Sequence, residues 1–210
     1  MLVKRRSPRQ ETSIHPTKTA LIATVVSMLD AMSVEEITCD AVLAASGISR
    51  GSLYYHFSDF SDLVEHALAV RFRSAADVSI AAMATAVNQS GSREDFRDRL
   101  LEVAHSIGAT IPSADHLERA VPFAAAASSE RFRVTLSTEQ QRLTDAYTDA
   151  ISAAQERGWV SREVHARTVA VLIQAVGLGR VVDAVSPNPM DIVEWDRLIR
   201  RVFDSAITND

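Results

Sequence analysis

The chain has 210 residues, 47% of them hydrophobic, and a formal net charge of -5. That length suffices for one fair-sized domain or a small domain joined to a larger one, and the acidic balance excludes an indiscriminate polyanion binder. The single cysteine, Cys39, excludes an intramolecular disulfide and a multi-cysteine zinc site, and no run of about 18 apolar residues offers a membrane-spanning helix.

Charge is distributed unevenly. Residues 1–18 hold Lys4, Arg5, Arg6, Arg9 and Lys18 against Glu11, so a basic flexible arm, residues 1–16, precedes an acidic body. The arm has the positive charge of a signal peptide but no apolar segment directly after it, which reads as the mobile start of a cytoplasmic protein. Apolar residues then recur at helical spacing almost throughout, with Gly and Pro mainly between the periodic segments, and the fold class is therefore all-α.

A first helix is predicted over 17–31, with Leu21, Val25, Met28, Leu29 and Met32 inward. Thr38 caps a second over 39–46, and Gly47 supplies the left-handed residue that closes it. Ser49 caps a third over 50–57, and Ser58 or Asp59 starts a long fourth that reaches Val87. The stretch NQSGS at 88–92 is the clearest interior break. There Ser92 and Asp95 have the form of a capping box and open a fifth helix over 93–109. Further helical segments fall at about 115–127, 129–157, 162–185 and 191–207, after a break at Ile111-Pro112-Ser113 and around interruptions at Arg157-Gly158-Trp159 and Ser186-Pro187-Asn188-Pro189.

The second and third helices, joined by a tight glycine turn with Val42, Ile48, Leu53 and Phe57 inward, match the physics of a helix-turn-helix. Such a unit presents the N-terminal end of its second helix to the DNA major groove, where side chains reach base edges and backbone N–H groups meet phosphate. The exposed side of this helix carries Arg50, Ser52, Tyr54, Tyr55 and His56, rich in donors and free of acid.

The run Thr38…Val42…Gly47-Ile48-Ser49…Gly51-Ser52-Leu53-Tyr54-Tyr55-His56-Phe57…Leu63 resembles the N-terminal signature of the TetR family of bacterial transcriptional regulators. The resemblance covers roughly residues 17–68. It implies a three-helix helix-turn-helix DNA-binding domain over 17–68, joined by a long helix to a larger helical regulatory and dimerisation domain over 69–210. The implied partners are a palindromic double-stranded DNA operator, a second copy of the chain bound through the last two long helices, and an unidentified small-molecule effector that releases the DNA. Carried over by position, Arg50, Gly51 and Ser52 face bases, Thr38, Tyr54, Tyr55 and His56 face mainly phosphate, and Ser49 counts with them at the head of the reading helix. Two positions depart from the pattern, with Phe60 where many members have a lysine and Asp40 where some have an arginine. Between Thr38 and Phe57 the formal charges are Asp40 and Arg50, which cancel, so electrostatic affinity from this unit is modest and the basic arm is expected to supply part of the deficit.

Residues 93–185 combine long apolar helices with sparse polar groups, the composition of a mostly apolar pocket with a few orienting contacts. Candidate ligand-binding residues are His105, Phe123, Tyr147, Trp159 and Gln174, each of which can equally be core. Gly177 and Gly179 suit either simple packing or a close helix crossing at a dimer interface, and Cys39 is expected to be structural. His105, His116 and His165 are not paired at helical spacing, so no metal or cofactor is expected. The chain has no P-loop, nucleotide-binding glycine fingerprint or nucleophile elbow, so no catalytic residue is assigned and enzyme function is not expected. Two functions stay open at this point: a ligand-responsive repressor, and a TetR-like DNA-binding protein without small-molecule effector, controlled by a protein partner.

Overall fold

In a computed structural model, residues 15–109, 117 and 119–206 are described, and the side chains of 105–109 and 206 fall outside that description. The described residues form helices α1 (Pro16–Leu29), α2 (Cys39–Ser46), α3 (Arg50–His56), α4 (Phe60–Gln89), α5 (Arg93–Ala109), α6 (Val121–Ser128), α7 (Glu130–Glu156), α8 (Ala166–Asp183) and α9 (Ile192–Ala206), with one short 3-10 turn at Val34–Glu36 and no strand. The chain divides into two units, Met1–Val70 and Arg71–Asp210. Among the described residues no helix is long and apolar enough to cross a membrane.

In the first unit, α1 opens at Pro16, whose missing N–H costs nothing in a first turn, behind His15, whose Nδ1 accepts from the Thr17 amide at 3.2 Å. Leu21, Val25 and Leu29 of α1 are buried, as are Val42 of α2, Leu53 of α3, the closing Phe57, and Leu63 and Ala67 of α4, and α1 packs on both α2 and α3. Met32, expected inward, is 38% exposed. α1 ends at Leu29, so helical spacing no longer carries Met32 to the inner face. Ile48 is half-buried.

Each cap in this unit has a visible cause. Thr38 Oγ1 accepts from the Ala41 amide at 3.3 Å and Ser49 Oγ from the Ser52 amide at 3.2 Å, occupying donors that the first helical turn leaves free. Gly47 closes α2 at φ 66°, a conformation that costs a residue with a Cβ about 1–2 kcal/mol. Asp59 Oδ1 accepts from the Asp62 amide at 2.7 Å and starts α4, while Asp62 Oδ2 accepts from the Ser58 amide at 2.9 Å in return.

The second unit is built on one core: Met83 and Val87 of α4, Phe96, Leu100 and Ala104 of α5, Tyr147 and Ile151 of α7, Val169 and Ile173 of α8, and Ile199 and Phe203 of α9. Arg73 and Arg142 clamp the Glu139 carboxylate, Arg73 Nε at 2.7 Å and Arg142 Nε at 3.1 Å, and Arg142 also reaches Asp77 at 2.7 Å, which ties α4 to α7. Burial alone would raise the Glu139 carboxyl, but the two guanidinium groups outweigh it and hold the group below its ordinary range.

Two helix starts differ from expectation by four residues or more. α8 starts at Ala166, not 162, because Gln155 Nε2 donates to the carbonyls of Ser161 and Val164, each at 2.8 Å, and Ser161 Oγ accepts from the Glu163 amide, which together hold the preceding segment as a turn. The segment expected helical from 115 shows α6 from Val121 with Pro122 in its first turn; residues 110–116 and 118 lie outside the described residues.

Candidate nucleic-acid interface

The face of α3 follows from its length and its one buried side. Seven residues make two turns; Leu53 and the closing Phe57 turn inward, which leaves Tyr54 49% and Tyr55 83% exposed. Arg50 lies in the first turn and its guanidinium pairs with the carboxylate of Asp40, in the first turn of α2, across an exposed contact. The Ser49 and Ser52 hydroxyls lie 3.0 Å apart beside Gly51. A Cβ added at Gly51 would meet nothing closer than Ser49 Oγ at 4.0 Å, so the missing side chain serves the outside of the helix and not its packing.

Those two glycines therefore predict opposite effects. Gly47→Ala is expected to lower stability by about 1–2 kcal/mol through its left-handed backbone, whereas Gly51→Ala, in a helix with open space around it, is expected to raise it by about 0.5–1 kcal/mol. Thermal melting of the two variants checks the signs.

An open depression of about 420 Å³ is lined by His15, Thr17, Ser49, Gly51, Ser52, Tyr55 and His56. It contains no acid. The His15 and His56 rings are 4.6 Å apart, and Tyr55 meets His56 edge-on at 5.0 Å. Because His15 Nδ1 accepts the Thr17 amide, its neutral ring carries the proton on Nε2, a donor available to an anion. Lys18 Nζ lies 3.2 Å from His66 Nε2 and 5.2 Å from the centroid of Phe57, while His66 Nδ1 bonds the Asp62 carbonyl at 2.8 Å. Sequence reasoning missed His15 as a member of this face; the signal available was a histidine directly before Pro16 at a helix start. Thr38 is exposed and spent on its cap, and Cys39 is half-buried and free.

The ligand-binding candidates are spread through the second unit. Tyr147 is fully buried within the core, and Trp159 packs against that core, stacked on Phe96 at 5.6 Å under the Arg157 guanidinium. Gln174 Oε1 accepts from Gln140 Nε2 at 2.7 Å, and its own Nε2 donates to the Ala170 carbonyl at 3.0 Å. Phe123 is 40% exposed, edge-on to Phe72 at 6.2 Å. The His105 side chain and the basic arm up to residue 14 lie outside the described residues.

No family model and no curated protein matches the chain. Solved structures do. GusR of Salmonella enterica superposes with a TM-score of 0.67 at 17% identity, covering 90% of this chain and 94% of its own. Escherichia coli NemR in its reduced form gives 0.61 at 14%, covering 92% and 98%. A protein from Mesorhizobium loti named as a TetR-family transcriptional regulator gives 0.70 at 12%, covering 92% and 97%. At these identities the likeness concerns the fold, and the fold of this chain is the all-α fold of the TetR-family transcriptional regulators.

Proposed function

We propose that the protein is a cytoplasmic TetR-family regulator of transcription, a repressor that binds a palindromic operator as a homodimer and is released by a small molecule held in the second unit. The observation that carries this reading is the exposed, acid-free face formed by Ser49, Gly51, Ser52, Tyr55 and His56, with Arg50 at the head of the same helix. A major groove admits a helix of this size, and the depression offers hydroxyl and imidazole donors to a phosphate. Arg50, Gly51 and Ser52 take bases in this reading; Thr38, Tyr54, Tyr55, His56 and now His15 take the backbone.

Pairing of two copies is supported by the outer faces of α8 and α9, where Val171, Val182, Val193 and Leu198 are each at least half exposed. Large apolar side chains left exposed in such number on two long helices are what an association surface requires. Release follows if a ligand tilts the later part of α4, an unbroken helix of 30 residues, so that the two reading helices no longer match half-sites spaced by whole helical turns. The ligand must prefer the spread state, and DNA must then weaken the ligand by the same factor.

The test is selection of bound duplexes from fragmented genomic DNA, with light scattering on the free protein. An inverted repeat and a mass of twice the 22.9 kDa chain are expected. Bound fragments without a shared repeat, or a monomer at micromolar concentration, would overturn the reading.

A further inference from the structure

Arg119 lies just ahead of α6, half-buried, with its guanidinium partly drawn out of water. Its Nη1 donates to the Gly177 carbonyl at 3.2 Å, while its Nη2 is buried and has no partner. The Gly177 carbonyl sits inside α8, where the helix ladder already engages it, so it offers little return for removing a full charge from solvent. Arg180 stands three residues on from Gly177, on the same side of α8. It bears a second positive charge there, and no carboxylate pairs with either arginine among the described residues. Burial, then the like charge of Arg180, pulls the Arg119 guanidinium below its ordinary range. Elsewhere in the same unit arginines are neutralised in pairs, as Arg73 and Arg142 are by Glu139.

A partly desolvated cation with no carboxylate partner among the described residues, beside a second cation, is a liability in a folded protein unless something negative joins it. A carboxylate is the simplest group that fits, since its two oxygens match the parallel N–H donors of a guanidinium. We infer that Arg119 and Arg180 anchor the effector of this protein, and that the effector is an organic carboxylate. The inference rests on the ligand-responsive reading above and sharpens it, since a small apolar or aromatic body alone would leave Nη2 unanswered.

Thermal melting of the full chain without DNA tests it. In chloride buffer, Arg119→Met is expected to raise the midpoint by about 2–4 °C, the usual response of a chain this size to losing one liability. Octanoate and benzoate, at constant ionic strength, are expected to raise the wild-type midpoint by mass action. Octanamide and benzamide, their uncharged counterparts, are expected to do so much less, and Arg119→Met should abolish the difference. Arg180→Met, which removes a side chain with no bond among the described residues, is expected to weaken the carboxylate response tenfold or more and guards against misfolding of the first variant. A lower midpoint for a folded Arg119→Met protein overturns the inference, as does a response to the amides equal to that of the acids or no response to either acid. An Arg119→Met protein that scatters light as a monomer overturns it too, since a partner's carboxylate would then hold the place. None of these readings involves DNA, so operator binding can fail or succeed separately.

Discussion

Arg50→Ala is expected to weaken binding to the selected operator by about 1–3 kcal/mol, the scale of one lost bidentate base contact, while binding to random duplex changes little. The reason lies in what Arg50 does before DNA arrives. Its guanidinium pairs with Asp40, and the two side chains are 54% and 83% exposed. An exposed pair of this kind contributes about 0–1 kcal/mol, so a guanine edge can take the arginine over at small cost, yet the carboxylate still cancels the charge that phosphate would attract. Asp40→Ala should accordingly act in the opposite direction: tighter binding to every duplex, a steeper salt dependence and a smaller ratio of operator to random affinity. Anisotropy titrations of both variants at two salt concentrations decide the matter. A uniform loss across all sequences for Arg50→Ala would place the arginine on phosphate, and an unchanged affinity would remove it from the interface.

Tyr147 carries the second large effect. Its ring is fully buried in the core of the second unit, and its hydroxyl is buried without a hydrogen bond. Tyr147→Ala is expected to cost about 3–5 kcal/mol, as for other large aromatic truncations. Tyr147→Phe should be neutral or stabilising, because a hydroxyl kept from water without a partner is a net cost. Burial pushes this hydroxyl up from 10.0 to about 12, and the nearby Ser79 side chain, which does not meet hydrogen-bonding geometry, opposes that only weakly. The folded value is raised, so the contribution is intact below pH 10 and drains away as pH rises from the unfolded value through the folded one. On the order of 2–3 kcal/mol is at stake across that interval. Denaturant melts of wild type and Tyr147→Phe between pH 9 and about pH 12 check this. Parallel decline of the two proteins would show that other groups cause it.

Local chemistry made the first unit readable from its residues. Thr38, Gly47 and Ser49 each act within four residues of themselves, and α2 falls at Cys39–Ser46 as their spacing requires. α5 at Arg93–Ala109 is legible for the same reason, through Ser92 Oγ accepting the Asp95 amide at 3.2 Å. The start of α8 was not legible, because Gln155 reaches forward from α7 to hold the intervening turn. Nor was the meeting of Asp40 with Arg50, which depends on the angle between two helices, or that of His15 with His56, which joins residues 41 apart. Least visible was Arg119, since nothing in a string of letters says that an arginine has lost its water.

The positions of the aromatic residues also make the protein its own instrument. Both tryptophans belong to the second unit, Trp159 against Phe96 and Trp195 at 3.8 Å from the place a Cβ would occupy on Gly179. Indole emission is consequently blind to the first unit, whose Tyr54 and Tyr55 stand on α3. A melt followed together by indole emission and by far-ultraviolet dichroism resolves the two units without a label. Coincident curves mean one cooperative molecule, and dichroism lost ahead of emission means a first unit that melts while the second stays folded.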